Sequence, residues 1–267
     1  MALASARASD LKDEGGPREP PRCRRPGVPW WGVGRRPHAT ALVVPGRLEQ
    51  GGSRSTTSRI GQTRPVGDVA GPDLDAWRAW TPWEAAERFA HVDVPWCVVG
   101  GWAIDLFIGE QTRPHGDLEV EFLRRDFDAA RAPLGGFELF TAGSGEVRAL
   151  GREEVPPAEN HQVWALDVGE QVWRIDVMLQ PGDGDTWVFR RDRSITAPRS
   201  SMVERDRRGV PYLAPHGTLL YKAKAARTKD EADLEACLPL LRDDARAWLR
   251  DAIERAHPDH PWIERLT

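Results

Sequence analysis

The chain has 267 residues, with 37 Lys and Arg, 41 Asp and Glu, and only three cysteines. Residues 1–73 hold 12 basic and 7 acidic side chains, leaving 25 and 34 for residues 74–267; so acidic a main body argues against sequence-independent nucleic-acid binding, which draws its affinity from neutralised phosphates. Cys23, Cys97 and Cys237 are widely separated and lack metal-ligand spacing, which argues against a disulfide framework or a zinc site, and no apolar run reaches the roughly 18 residues of a membrane span or forms a secretory signal. The expectation is a soluble cytoplasmic protein without a membrane partner.

Residues 1–73 are rich in Pro, Gly, Arg and Ser, and their only apolar cluster is Ala41 to Val44. Such a segment cannot offset its ordering entropy and is predicted to be disordered. A catalytic core is expected over residues 74–214 and a helical segment over 215–267. Thr81-Pro82-Trp83-Glu84 carries a capping Thr, a Pro at the first helical position and a Glu at the third, the pattern of a capping box, with Ala86, Phe89 and Ala90 as the apolar face.

Trp96-Cys97-Val98-Val99 reads as a buried strand, stopped by Gly100-Gly101 ahead of a helical stretch from Trp102 to Ile108 that ends at Gly109. Two glycines there let a phosphate approach backbone N–H groups at a helix start, although any tight strand-to-helix turn also favours glycine. In Asp117-Leu118-Glu119-Val120-Glu121-Phe122-Leu123, strict alternation predicts a half-buried strand with the acids outward. Asp117 and Glu119 can then converge on one hard cation, or form part of a solvated acidic face. On a later strand, Asp176 sits between Ile175 and Val177; a carboxylate there needs a cation or an ion-pair partner, for which Arg174 is the candidate. Asp167 reads as a turn residue.

Taken together, the stretch Gly100-Gly101-Trp102-Ala103-Ile104-Asp105 through Gly109, Thr112-Arg113, His115 and Asp117-Leu118-Glu119 resembles the signature of the aminoglycoside and lincosamide nucleotidyltransferases, within the polymerase-beta-like superfamily. The resemblance covers roughly residues 75–245. It implies an α+β fold, a mixed sheet flanked by helices with a helical C-terminal part, and a Mg²⁺-dependent enzyme that moves a nucleoside monophosphate, AMP from ATP, to a hydroxyl of a small acceptor such as an aminoglycoside or lincosamide. It further implies Asp117, Glu119 and Asp176 as ligands of two Mg²⁺ ions and as the catalytic carboxylates. Glu119 departs from the Asp that many members carry.

A weaker similarity in Leu219 to Lys224 and Thr228 to Leu234 adds Lys222 and Lys229 to Arg113, Gly100 and Gly101 as candidate triphosphate contacts. The two lysines are seven residues apart and share a face if one helix runs through them; solvated lysines beside a Thr228–Glu231 capping box are the alternative. An acidic cleft would attract a polycationic amino sugar, whereas His115, Trp164, Trp173 and Trp187 read as structural first. Two rival readings stay open: a nucleotidyltransferase acting on protein or transfer RNA, as in toxin–antitoxin systems, and a catalytically silent nucleotide-binding module.

Overall fold

The computed structural model describes residues 71–267 and the backbone of β1 (Ala41–Val43); apart from those three residues and 71–73, the segment expected to be disordered lies outside the described residues. The capping box forms as read: Thr81 Oγ1 accepts from the Glu84 N–H, and Glu84 Oε2 accepts from the Thr81 N–H at 2.7 Å, opening α1 (Pro82–Arg88). Ala85 and Phe89 point into the core, while Ala90 is exposed.

Then follow β2 (Trp96–Val99), α2 (Gly100–Ile108), β3 (Glu119–Leu123), α3 (Phe127–Arg131), β4 (Glu138–Gly143), β5 (Glu146–Leu150), β6 (Gln162–Asp167) and β7 (Val172–Gln180). A short hairpin pairs β8 (Thr186–Val188) with β9 (Thr196–Pro198), leading through α4 (Arg199–Met202) to β10 (Val203–Arg205) and β11 (Pro211–Leu213). The chain ends in α5 (Pro215–Ala223), α6 (Thr228–Cys237), α7 (Asp243–Ala256) and α8 (Trp262–Arg265). Nine strands form one mixed sheet in the order β1-β5-β4-β6-β7-β3-β2-β11-β10, so the fold is α+β with helices on the sheet's faces.

Alternate residues of the central strands feed two cores. Leu118, Val120, Phe122, Ile175 and Val177 face one, with Phe89 and Phe127. On the opposite face Cys97 and Val99 meet the C-terminal helices through Leu219, Leu220, Leu234, Leu249 and Ile253. That second layer changes the reading of β3. The alternation is real, but the outer face is covered, and Glu121 is 0% exposed instead of solvated. Trp164, Trp173 and Trp187 are buried, as core packing requires. No described helix is long and apolar enough to cross a membrane.

Candidate active site

β2 delivers the chain to Gly100, whose φ of +68° is one that side-chain-bearing residues rarely adopt. A Cβ on Gly100 would also overlap Glu119 Oε2, so the absent side chain is what lets the Glu119 carboxylate lie against the turn. Gly109 closes α2 at φ +92°, a left-handed cap. β3 and β7 are parallel, with Glu119 in register with Asp176, which sets their Cα atoms about 4.8 Å apart. The Asp176 N–H donates to the Leu118 carbonyl at 2.9 Å, fixing that register beside the acids. Asp117 lies just ahead of β3, half-buried, and not within the strand.

Asp176 is 1% exposed. Burial, then the negative charges of Glu119 and, more weakly, Asp117, hold its carboxyl well above the ordinary range, against the easing effect of Gln162 and Trp164. Gln162 Nε2 donates to Asp176 Oδ2 at 2.6 Å, whereas the buried Oδ1 accepts no hydrogen bond of good geometry. The ion-pair alternative with Arg174 does not form: Arg174 bonds Asp167 at 3.0 Å and Glu170 at 2.8 Å. Three carboxylates from two stretches thus share one neighbourhood, and their mutual repulsion is of the kind a cation relieves. Among the described residues, however, no three His, Cys, Asp or Glu side chains are gathered closely enough to hold an ion by themselves.

In front of Gly100 and Glu119 lies a cleft of about 350 Å³. Its sheet wall includes Glu119, Glu121, Met178 and Gln180, and its opposite wall Arg190, Arg191, Tyr221, Lys222, Lys224 and Arg227. The cleft therefore carries more basic than acidic side chains although the body of the chain is acidic, so the attraction that an acidic cleft would exert on a polycation has little support here.

Behind the cleft runs a buried ionic chain. Thr112 and His115 both bond Asp105, the His115 Nε2 at 2.5 Å; these bonds outweigh burial and lower the Asp105 carboxyl. His115 also stacks on Trp102 with ring centroids 4.5 Å apart, and its Nδ1 meets Arg113 at 3.0 Å. Arg113 lies where a Cβ of Gly101 would fall and pairs with Asp233 at 3.3 Å. Asp233 in turn pairs with Lys222 at 2.7 Å, and Lys222 reaches Asp230 at 3.3 Å. His115 is thus a structural link that orients Arg113, as its lone occurrence suggested.

Of the expected triphosphate contacts, Gly100 and Lys222 line the cleft, Gly101 follows in the first turn of α2, and Arg113 stands behind the turn. Lys222 and Lys229 do not share one helix. The chain breaks between α5 and α6 at Ala226, φ +41°, and Lys229 is exposed on the second helix. Its ammonium is lowered by partial burial and by Arg227, Arg113 and Lys222 nearby. Nor does the Thr228–Glu231 box form: Asp230 accepts from the Arg227 N–H at 3.1 Å, and Glu231 takes the Trp262 indole at 2.7 Å. Sequence reasoning missed Gln162, Arg190, Arg191, Lys224 and Arg227. The adjacent pair Arg190-Arg191 was the one visible signal, and it falls in a loop.

The model of the aminoglycoside-2''-adenylyltransferase family matches residues 83–138. No curated protein matches the chain. Solved structures with detectable likeness include a lincomycin-bound lincosamide antibiotic adenylyltransferase, LnuA (16% identity, TM-score 0.42, covering 58% of this chain and 92% of that one). Another is ANT(2'')-Ia in complex with adenylyl-2''-tobramycin (16%, 0.43, 66% and 94%). A third is an antigenic nucleotidyltransferase-like protein from Paracoccidioides brasiliensis (12%, 0.35, 68% and 88%). The likeness to the aminoglycoside-2''-adenylyltransferase family thus rests on residues 83–138, which span the glycine turn, Asp117, Glu119 and β3.

Proposed function

We propose that the chain transfers a nucleoside monophosphate from a triphosphate to the hydroxyl of a small acceptor, at the junction of Gly100, Asp117, Glu119 and Asp176. One observation carries the reading: Glu119 and Asp176 stand in register on adjacent parallel strands, with the Glu119 carboxylate laid against a glycine whose missing side chain makes room for it. The residues fit Mg²⁺. That ion commonly takes only one or two protein carboxylates and completes its octahedron with water and substrate phosphates. Asp117 and Glu119 would hold the ion on the triphosphate and Asp176 a second; when bound, such ions supply charge neutralisation at the attacking and leaving oxygens.

The chain's own groups do the rest. The N–H groups at the start of α2 seat the terminal phosphates, and Lys222, Lys224 and Arg227 draw the triphosphate into the cleft. Asp176 Oδ1, buried and without a good hydrogen bond, takes the acceptor's proton as its oxygen attacks the α-phosphorus, while Gln162 holds the other carboxylate oxygen. Pyrophosphate leaves past the cations.

The acceptor class supported by the family match over residues 83–138 is an aminoglycoside. A second reading, transfer to an RNA end or a protein, is favoured by the cationic lining of the cleft. Pyrophosphate release and label transfer are to be measured with Mg²⁺, each of four nucleoside triphosphates, and amino-sugar, lincosamide, RNA and protein acceptors. Wild type is expected to turn over and Asp117→Asn to fail. Nucleotide binding without release on any acceptor overturns transfer in favour of a silent binding module.

A further inference from the structure

The cleft continues past the carboxylates. Two residues along β3 from Glu119, on the same face, Glu121 borders it while remaining 0% exposed. Neither Glu121 carboxylate oxygen accepts a hydrogen bond of good geometry; Arg199, whose Nη1 stands 3.5 Å from Oε1, then Gln180 and Trp187 favour its charged form from a looser approach. On the same cleft Arg190 buries an Nε with no acceptor. Buried polar atoms are nearly always paired, and each exception calls for an explanation. Here three of them, two acceptors side by side and one donor, adjoin a single cavity next to the seat assigned to the triphosphate. Gln180 and Tyr221, bonded to each other at 3.0 Å, line the same region.

Building on the nucleotidyltransferase reading, we infer that this inner part of the cleft receives the base of the donor nucleotide, and that Glu121 and Arg190 select guanine. The argument is one of hydrogen-bond inventory. A carboxylate presents two adjacent acceptors and no donor. Among the four common bases only guanine offers two adjacent donors, N1–H and the 2-amino group, next to an acceptor, O6, that an arginine N–H can serve. Adenine presents a lone acceptor beside its amine, cytosine two acceptors, and uracil one N–H between two carbonyls. Each of these leaves part of Glu121 unpaired in a site with little water, which is the penalty that makes hydrogen-bonding pockets discriminate strongly. The resemblance to adenylyltransferases led to the expectation of ATP; the side chains of this cleft match GTP better.

The test is titration calorimetry of the full chain with Mg²⁺ and, in turn, GTP, ITP, ATP, CTP and UTP, run beside pyrophosphate release. GTP is expected to bind about 10–100-fold more tightly than ATP, the discrimination typical of one bidentate pair. ITP, which keeps N1–H and O6 but lacks the 2-amino group, is expected between them. In Glu121→Gln, which keeps the shape but replaces one acceptor by a donor, the preference for GTP over ATP is expected to vanish. Equal binding of all five nucleotides, or a preference for ATP, overturns base selection while leaving nucleotidyl transfer intact; failure of every nucleotide to bind overturns both. A GTP preference that survives in Glu121→Gln removes Glu121 from the assignment. Should that variant not fold, the ranking of GTP, ITP and ATP on the wild-type protein decides the matter.

Discussion

The two walls of the cleft are held by different forces. The sheet wall is fixed by strand register and by a missing side chain: Glu119 and Asp176 are set by the β3–β7 pairing, and Gly100 makes room for a carboxylate. The helix and loop wall is cationic and held by ion pairs, with Lys222 between Asp230 and Asp233, and Arg227 bonded to Asp230 at 2.7 Å. Backbone register places atoms to a fraction of an ångström, whereas paired long side chains gather charge and tolerate adjustment. Changes at Glu119 and Asp176 should therefore act on turnover, and changes in the other wall on nucleotide affinity and on the stability of the helices.

The largest contrast is expected from Asp176→Asn. Loss of a base in this position lowers kcat by about 10²–10⁴-fold, with the nucleotide Kd little altered, as single-turnover and binding measurements would reveal. A fall of less than about 10-fold would take the proton-accepting role away from it. The same variant should melt higher than wild type at neutral pH without divalent ions. Because burial and Glu119 raise the Asp176 carboxyl, the folded state favours its protonated form. Wild type therefore loses stability as pH rises from the ordinary carboxylate value through the raised one, and Asn does not.

Next in size is an acid effect confined to the helical wall. His216 on α5 packs its ring 5.2 Å from Trp248 and is pushed down to about 4 by burial and, secondarily, by Arg242. The unfolded chain takes up its proton near 6.5, while the folded chain resists until about 4. Stability is thus full above 6.5 and falls as pH drops between these values, by on the order of 3 kcal/mol. Melting curves of His216→Gln over that range should show a shallower slope than wild type; parallel slopes would refute the assignment.

Gly100→Ala should cost about 1–2 kcal/mol for the left-handed backbone alone, lowering Tm by roughly 2–4 °C per kcal/mol. It should also lower kcat, because Glu119 is displaced. The smallest effect is expected from Arg227→Met, which removes one exposed cation: KM for the triphosphate rises by about 10-fold, equal to about 1.4 kcal/mol, with kcat nearly constant. If kcat moves more than KM, the division of labour between the walls fails.

Much of the sheet wall was legible in the sequence. The strand at Trp96, the glycine turn, the acids at 117, 119 and 176, and the Thr81 capping box rest on local rules: periodicity, backbone conformation and helix capping. Glu121 was misread because alternation reports which residues share a face, not what covers it, and the cover comes from helices a hundred residues later. Arg190, Arg191 and Arg227 were missed for a related reason. A loop arginine carries no periodicity, and only tertiary packing decides whether it meets a cleft or water. The break at Ala226 was equally hidden, since neither glycine nor proline marks it. Asp176 lay between these cases: its need for a partner was readable, but the choice of Gln162 over Arg174 depends on the neighbouring strand β6.

Asp233 holds Arg113 from the sheet side and Lys222 from the helical side at once. It acts as a rivet through the molecule, almost wholly screened from water at 3% exposure. Pulling the halves apart would strand a buried charge, at a cost of about 3–5 kcal/mol when one partner is lost. The spacing between the acidic floor and its cationic roof is thus set during folding, before any substrate arrives.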